Sequence, residues 1–377
     1  MSLIRPSTRW GDPLLFGVEE EFLLADAGSR HTVARAAEVV EAAEKIVPNR
    51  VTPEFFATQL ETRSEPTRAA RALRADLANT RRAVADAAAR SGCLLVACPT
   101  AVLTGHPLLI SDDERYHRIA RRVANVLDAS DSEISGCHIH LGSLGRDEAL
   151  ALSAHLRPWL PVFHALAANS PFAGGRDHGC ASWRSVLYGR WPTVGPAPVV
   201  DQDGYERLAT RMVASGAIAD RKMIYWYARP SEHLPTLEIR VADVNADLDV
   251  TVLLAILLRA LATDLLTDVR HDADYPLISE EQLRAGHDQA TLYGLRGTAF
   301  DPAAGAHRPM TDLLSAMLSR SRAALDAADD VSIATRVLAR IGAYGTGADR
   351  QRAVYRRRRS LVDVVDYLAT LTAPPSE

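Results

Sequence analysis

Polar and apolar residues alternate in four short segments of the chain. These segments are 16–22 (FGVEEEF), 59–63 (QLETR), 136–142 (GCHIHLG) and 237–241 (LEIRV). A period of two is typical of a β-strand, because successive side chains point to opposite faces. Each segment therefore collects ionisable side chains on one face and mainly apolar side chains on the other. We predict four strands, each with one face that carries candidate chemistry.

The ionisable residues form pairs two positions apart. The pairs are Glu19 with Glu21, Glu61 with Arg63, His138 with His140, and Glu238 with Arg240. A single pair is well explained as the solvated face of an antiparallel sheet. If all four strands join one sheet, however, its carboxylates repel and raise each other's pKa unless cations neutralise them. A divalent metal does this economically, and oxygen-rich sites suit magnesium. The four pairs together favour a functional face.

Glu20 lies between Glu19 and Glu21 and is predicted to face the opposite side of its strand. We expect it to be structural. If the facing is reversed, Glu20 replaces both of its neighbours at the site.

Helical patterns occupy much of the remaining sequence. They cover 32–47, 66–90, 112–127, 146–168, 203–215, 247–268, 279–286, 309–327, 332–341 and 349–370, with further strands at 93–98 and 223–227. Residues 169–198 are rich in Gly, Pro, Arg and Trp, which indicates a substrate loop. Strands and helices do not alternate strictly, so we predict an α+β fold. We expect one domain over 1–377, mostly helical from about 277 to 372.

The composition is that of a soluble globular protein, with 47% hydrophobic and 24% charged residues in 377. A net charge of −4 gives no electrostatic argument for nucleic acid or an anionic membrane as a partner. The four cysteines form no C-x-x-C pair and indicate reduced thiols. No basic segment followed by an apolar core opens the chain. The apolar run 250–266 contains Arg259 and Asp264, which favours a buried helix. We expect a cytoplasmic protein.

Several common catalytic motifs are absent from the sequence. It contains no G-x-x-x-x-G-K-[ST] phosphate loop, no G-x-G-x-x-G after a strand, no G-x-S-x-G nucleophile elbow and no H-E-x-x-H zinc helix. A G-x-x-G-x-G run at 342–347 is more typical of a turn between helices.

Eight motifs, in this order and spacing, identify a resemblance that covers nearly the whole chain. They are 16–22 (FGVEEEF), 59–61 (QLE), 136–142 (GCHIHLG), 168–172 with 175–177 (ANSPF, GRD), 181–185 (ASWRS), 190–193 (RWPT), 236–243 (TLEIRVAD) and 348–352 (ADRQR). The chain resembles the type 2 glutamate–cysteine ligases, also called carboxylate–amine ligases, which are related to glutamine synthetase.

The resemblance implies an antiparallel sheet that curves into a half-barrel around ATP, with helices packed outside. It also implies ATP-dependent formation of an amide through an acyl phosphate. The expected reaction joins the γ-carboxylate of L-glutamate to L-cysteine, as in thiol biosynthesis of the glutathione type. The expected partners are small amino acids or amines, and a homo-oligomer is left open.

The resemblance and the chemistry of phosphoryl transfer together suggest roles for individual residues. The expected metal ligands are Glu19, Glu21, Glu61, His140 and Glu238, with Mg²⁺ as the ion and Mn²⁺ as an alternative. His138 is a second nitrogen ligand or a phosphate contact. Arg240 contacts the transferring phosphoryl group, because its planar fork suits phosphate oxygens. Arg184 receives the substrate carboxylate or the acyl phosphate, and Arg350 contacts the nucleotide.

Two other functions fit parts of the same pattern. An H-x-H strand with carboxylates from other strands also describes metal-dependent amidohydrolases. Those enzymes use an eightfold strand–helix alternation, which this chain lacks. The second alternative is a non-catalytic nucleotide or metal sensor on the same fold, which the intact set of Glu, His and Arg residues disfavours.

Overall fold

A computed structural model describes residues 13–124 and 133–373. Its main sheet has seven strands: β1 (Phe16–Asp26), β2 (Val51–Pro53), β3 (Gln59–Arg63), β4 (Cys93–Val96), β5 (Gly136–Gly142), β8 (Ala228–Pro230) and β9 (Thr236–Asp243). Two small hairpins are formed by β6 (Phe172–Ala173) with β7 (Arg176–Asp177), and by β10 (Thr298–Asp301) with β11 (Ala306–Pro309). The order of the main sheet is β2-β3-β1-β5-β9-β8, and β4 pairs with the second half of β1. All of these pairings are antiparallel.

Thirteen α-helices lie in the described ranges. They are α1 (Ala36–Glu44), α2 (Ala70–Arg90), α3 (Glu114–Val123), α4 (Arg146–Leu156), α5 (Leu160–Ala167), α6 (Trp183–Tyr188), α7 (Gln202–Ala214), α8 (Leu248–Arg270), α9 (Glu280–Tyr293), α10 (Met310–Ala327), α11 (Val331–Tyr344), α12 (Gly347–Arg358) and α13 (Leu361–Thr372). The expected α+β class with an open antiparallel sheet is confirmed.

The apolar face of the main sheet packs on α8. Val18, Ile139 and Ile239 come from three adjacent strands and join one buried cluster with this helix. Burial of each such side chain stabilises the fold by about 1.5–3 kcal/mol. Helix α8 is long and apolar enough to cross a membrane, yet 83% of its most apolar window is buried inside the protein. It is the buried helix that the sequence predicts. The polar face of the sheet is thereby left on the opposite side.

Two sequence predictions differ from the structure in the type of element. Residues 223–227 do not form a strand: a 3₁₀ turn spans Arg221–Met223, and Trp226 packs into a separate hydrophobic cluster. The strand that pairs with β9 is β8, which begins only at Ala228. The helix predicted over 349–370 is two helices, α12 and α13, because Arg359 adopts a left-handed conformation with φ 57°.

Other differences concern boundaries. Helix α9 continues to Tyr293, beyond the predicted end at 286, and the helix predicted over 112–127 is observed as Glu114–Val123. Positions 125–127 of that prediction lie outside the described residues. The predicted substrate loop 169–198 contains the short helix α6, whose first residues matter for the site. All four cysteines of the sequence are buried and none forms a disulfide.

Candidate active site

The polar face of the main sheet lines a cavity of about 450 Å³. Eight residues singled out in the sequence line it: Glu19, Glu21, Glu61, His138, His140, Arg184, Glu238 and Arg240. The ninth, Arg350, does not. It donates a hydrogen bond of 2.7 Å to Asp247, and its guanidinium lies 5.9 Å from the ring centroid of Tyr367. The structure therefore gives Arg350 a role in packing α12 and not in this cavity.

Strand register brings the paired side chains together. Glu19 lies opposite His138 in the pairing of β1 with β5, and Glu21 lies opposite Glu61 in the pairing of β1 with β3. His140 lies opposite Glu238 in the pairing of β5 with β9. Residues opposite each other in an antiparallel ladder have Cβ atoms about 4.5–5.5 Å apart. Residues far apart in sequence thus become neighbours on one face.

A first group of potential metal ligands is Glu19, His140 and Glu238, whose ligand atoms lie within 4.8 Å of one another. His140 Nε2 is 3.3 Å from Glu19, and its Nδ1 is 3.0 Å from the Thr236 hydroxyl. Burial disfavours the charge on Glu19, but its contacts with His138 and His140 hold its pKa below the usual value. Burial also opposes protonation of His140, and Glu19 outweighs it and raises the pKa.

A second group is Glu21, Glu54 and Glu61, with ligand atoms again within 4.8 Å. Burial and the charge of Glu21 raise the pKa of Glu54 to about 7. Burial and the charges of Glu19, Glu54 and Glu21 raise the pKa of Glu61 well above its usual value. Repulsion among buried carboxylates is relieved by a bound cation. Three carboxylates also form the all-oxygen ligand set that Mg²⁺ prefers.

His138 lies between the two groups and offers a third combination with Glu19 and Glu61. Its Nδ1 is 3.6 Å from Glu19, and its Nε2 is 3.6 Å from Glu21. Burial and the nearby Arg240 lower its pKa. Both Nε2 atoms are buried, and among the described residues neither makes a hydrogen bond of good geometry: His138 Nε2 faces Glu21 at 3.6 Å and His140 Nε2 faces Glu19 at 3.3 Å. Buried polar atoms are normally satisfied, so both nitrogens fit a ligand that enters the cavity.

Arg240 is fixed on the same face of β9 as Glu238. Its guanidinium contacts the Glu238 carboxylate, donates to the Tyr188 hydroxyl at 3.2 Å and lies 5.6 Å from the ring centroid of Tyr225. Burial alone would raise the pKa of Glu238. The charges of Arg240 and Arg229 overcome that effect and hold the pKa well below its usual value. An ionised Glu238 beside a fixed guanidinium is suited to a site that binds both a cation and phosphate.

Arg184 enters the cavity from the first turn of α6. The residue is 2% exposed, and its Nε and Nη1 have no hydrogen-bond partner within the described part of the chain. Its guanidinium packs over the ring of Tyr188 with 4.9 Å to the centroid. On the other side it lies against Gly136, where a Cβ atom would overlap Arg184 Nη2. A buried cation with unused donors, at the wall of a cavity, fits an anionic ligand.

Glu20 lies on the opposite face of β1, as the period of two predicts. It is completely buried and accepts two hydrogen bonds from Arg81, at 2.6 and 2.9 Å, and one from Thr251 at 2.9 Å. The expectation that Glu20 is structural agrees with these contacts.

The sequence reasoning missed Glu54 and Arg229. Glu54 follows the three-residue strand β2, which is too short to show an alternation. Arg229 on β8 donates to Glu238 at 2.9 Å, and its strand was placed too early in the sequence. An aromatic part of the cavity wall was also missed: it comprises Phe55, Tyr116, Trp191 and Tyr225. The Pro-Glu-Phe-Phe run at 53–56 was the signal in the sequence that could have indicated Glu54 and Phe55.

A model of the family described as glutamate–cysteine ligase family 2 matches residues 15–366. The chain belongs to the glutamate–cysteine ligase family 2. Membership of this family confirms the expected resemblance and the expected class of enzyme, a ligase that forms C–N bonds. It gives no support to the metal-dependent amidohydrolase.

Individual relatives agree with this membership. The chain is 40% identical over 360 residues to a protein of Mycobacterium sp. (strain KMS) that carries the provisional name glutamate–cysteine ligase 2-2; the match covers 94% of this chain and 98% of that one. It is 38% identical over 374 residues to a protein of Salinispora arenicola (strain CNS-205), provisionally named glutamate–cysteine ligase 2, with 98% of each chain covered.

Among solved structures, the chain is similar to a glutamate–cysteine ligase from Francisella tularensis that was crystallised in complex with AMP. The TM-score is 0.68 at 12% sequence identity, with 97% of this chain and 90% of that one covered. At this identity the likeness concerns the fold, and it agrees with the fold expected for glutamate–cysteine ligase family 2.

Proposed function

We propose that this protein is an ATP-dependent ligase that joins the γ-carboxylate of L-glutamate to the amine of L-cysteine through an acyl phosphate. The observation that carries the proposal is the convergence, in one cavity, of two groups of metal-ligand side chains with two buried arginines. We further propose that 1–377 act as one cytoplasmic catalytic domain, with small molecules as partners.

The chemistry explains why such a site is needed. A carboxylate does not react with an amine at neutral pH, because oxide is a poor leaving group. In the proposed reaction a γ-carboxylate oxygen attacks the γ-phosphorus of ATP, and the bond from that phosphorus to ADP breaks. The amine nitrogen then attacks the acyl carbon, the bond from carbon to the phosphate oxygen breaks, and phosphate and one proton leave. Both reacting groups of the first step are anions, so the protein must hold cations between them.

The metal ligands in the proposal are those of the two groups. Glu19, His140 and Glu238 would hold one ion, and Glu21, Glu54 and Glu61 would hold another. A divalent cation held by these residues would supply positive charge against the phosphates of ATP; magnesium suits the carboxylates, and manganese would suit a histidine ligand at least as well. His140 is the better nitrogen ligand, because Thr236 at its Nδ1 leaves Nε2 directed at Glu19.

Arg240 would bind the transferring phosphoryl group. It lies beside Glu238 and 3.4 Å from His138 Nδ1 in the cavity wall, so its guanidinium would be available to the phosphates of a nucleotide bound there. His138 is then a phosphate contact through Nε2, or a further metal ligand. Arg184 would bind the substrate carboxylate and the acyl phosphate with its unused donors. Catalysis in this scheme is positioning and charge stabilisation, without a covalent enzyme intermediate.

The experiment that tests this function measures ADP release from the purified protein with ATP and Mg²⁺, across a panel of acids and amines. ADP that appears only with glutamate and cysteine together, with γ-glutamylcysteine as the product identified by mass spectrometry, supports the proposal. If ADP appears with glutamate and a different amine, the ligase mechanism still holds, and that amine is the acceptor in place of cysteine. Absence of acid- and amine-dependent ADP in every well contradicts the proposal.

A further inference from the structure

Asp243 is a fully buried carboxylate to which the proposed reaction assigns no role. It is the last residue of β9 and lies opposite Gly136. The register between β5 and β9 shifts by one residue between Cys137 and Ile139. In a regular strand, Asp243 would face the side opposite to Glu238 and Arg240, because it lies an odd number of positions from each of them. The register shift reverses this, so Asp243 faces the same side as Glu238 and Arg240. The carboxylate therefore lies behind Arg184, which lines the cavity, and is itself completely buried.

Both oxygens of Asp243 are used. Oδ2 accepts hydrogen bonds from the Asn169 backbone N–H at 2.9 Å and from the Ser170 hydroxyl at 2.8 Å. Oδ1 accepts from the Ser182 hydroxyl at 2.9 Å and lies 3.8 Å from Arg184 Nη1. A single carboxylate thus connects the start of the loop 169–182 with its end.

These partners fix Arg184 at two points. Ser170 accepts a hydrogen bond from the Arg184 backbone N–H at 3.0 Å, and Ser182 is the N-cap of α6. The guanidinium lies near Asp243 on one side and against Gly136 on the other. Asp243 therefore acts on both the backbone and the head group of Arg184.

A line of buried hydrogen bonds continues from Ser182 away from the cavity. The Ser182 and Ser185 hydroxyls are 2.9 Å apart, Ser185 is 2.6 Å from His164 Nε2, and His164 Nδ1 is 3.2 Å from His287 Nδ1. Burial and the charge of Arg184 lower the pKa of His164 to about 3, so its imidazole is neutral at pH 7.

The donor directions in this line follow from its fixed end. The Ser182 proton is committed to Asp243, so Ser185 donates to Ser182. His164 must then donate to Ser185 from Nε2, which leaves Nδ1 as an acceptor for the His287 Nδ1–H. Every proton points toward Asp243. Hydrogen bonds aligned in one direction polarise one another, which strengthens the whole line in a buried environment.

We infer that Asp243 is a positioning residue that holds the Arg184 guanidinium at the cavity wall, and that Ser182, Ser185, His164 and His287 form the hydrogen-bonded support that fixes Asp243. This inference rests on the proposed function only in the ligand that it gives to Arg184, an acid substrate. Packing against Tyr188 and Gly136 confines the guanidinium, but Asp243 is its nearest charged neighbour among the described residues, and its Nε and Nη1 have no hydrogen-bond partner within 13–124 and 133–373.

Four variants test the inference: Asp243→Asn, His164→Leu, His164→Gln and Arg184→Ala. Asp243→Asn converts one acceptor oxygen into a donor and removes the charge. We expect it to raise the KM for the acid at least about tenfold, while the KM for ATP changes less than about twofold. His164→Leu should raise the KM for the acid in the same selective way. His164→Gln places an amide N–H near the position of Nε2–H and should restore the KM for the acid to nearly the wild-type value. Arg184→Ala sets the upper limit of the effect.

Two matched controls separate positioning from general damage to the core. Asp330→Asn alters another buried aspartate that pairs with a buried arginine, Arg259, remote from the cavity. Ser321→Ala removes a buried hydroxyl that has no partner in the described structure. Both should leave the KM for the acid unchanged. Equal changes of both KM values in Asp243→Asn, or an unchanged KM for the acid, would overturn the inference.

Crystal structures of the wild type and Asp243→Asn distinguish this inference from the proposed function. If the wild type releases no acid-dependent ADP, the proposed function fails, and the position of Arg184 still decides the inference. A guanidinium displaced from Gly136 in Asp243→Asn supports it. A guanidinium that stays against Gly136 in the variant overturns it, whatever the activity.

Discussion

Glu19 and Glu20 are neighbours in the chain, yet their carboxylates lie on opposite faces of β1. Glu19 faces the cavity, 3.3 Å from His140 Nε2, whereas Glu20 is buried against Arg81 with an ion pair of 2.6 Å. One peptide bond thus separates a candidate metal ligand from a purely structural ion pair. The distinction follows from the period of two in a strand, and it predicts opposite effects of the same substitution at adjacent positions.

Glu19→Gln is expected to reduce turnover at least about a hundredfold, because it removes a ligand charge. Glu20→Gln is expected to lower the free energy of unfolding by about 3 kcal/mol, because it leaves the buried Arg81 with a neutral partner. Its turnover per folded molecule should exceed that of Glu19→Gln. Urea unfolding and ADP release measure the two effects, with the exposed Glu38→Gln as control. The reverse ranking of activity would mean that the strand faces the other way.

Glu238 and Arg240 are expected to be essential for the reaction. Glu238→Gln and Arg240→Ala should each lower ATP turnover by about a thousandfold, since one removes a metal-ligand charge and the other a phosphate contact. Arg240→Lys should remain at least about tenfold below the wild type, because an ammonium lacks the planar fork. The exposed Arg71→Ala serves as control. Turnover close to that of the wild type, in a variant with an unchanged circular dichroism spectrum, would refute the assignment.

Glu54 is expected to bind metal together with Glu21 and Glu61. Titration of Mn²⁺ followed by electron paramagnetic resonance should show that Glu54→Gln weakens one class of site at least about tenfold, whereas the Glu19 group is retained. The control is Glu232→Gln, which alters a cavity carboxylate that already pairs with Arg146 at 3.2 Å. Identical titrations for the wild type and Glu54→Gln would remove Glu54 from the ligand set.

His164 should make stability depend on pH. The unfolded state binds a proton with a pKa near 6.5, whereas the folded state does so only near pH 3. Between these values the unfolded state holds more protons, so the free energy of unfolding falls as the pH is lowered below 6.5. At pH 5 this one histidine should lower stability by about 2 kcal/mol relative to pH 7.5. Urea unfolding at both values should show a smaller decrease for His164→Gln. An equal decrease in the wild type and in His164→Gln would show that His164 does not cause the pH dependence of stability.

The alternation of residues allowed most of the site to be predicted. Four strands, β3, β1, β5 and β9, each present two ionisable residues at a spacing of two, and the sheet order makes these strands adjacent. Such positions are determined locally, because the two faces of a strand differ in burial wherever one side packs on a core. Glu19, His138 and Glu238 were therefore accessible from the sequence, and so was the opposite facing of Glu20.

The residues whose place or role differs from the sequence predictions depend on contacts between distant segments. Glu54 follows a three-residue strand, and only the pairing of β2 with β3 brings it to Glu61. Asp243 reaches the cavity side through a register shift that no periodicity reveals. Arg350 belongs to a motif of the resemblance, yet its guanidinium pairs with Asp247. The apolar residues at 223–227 pack into a hydrophobic cluster instead of a sheet, because tertiary contacts override the local pattern.

The central claim is that a carboxylate is phosphorylated before the amine attacks, and transfer of an isotope tests it most directly. The protein would be given ATP, Mg²⁺, cysteine and glutamate labelled with ¹⁸O in its γ-carboxylate, and the released phosphate would be analysed by mass spectrometry. An acyl phosphate predicts one ¹⁸O atom in each phosphate released together with the amide. Unlabelled phosphate, or release of AMP in place of ADP, would contradict the account.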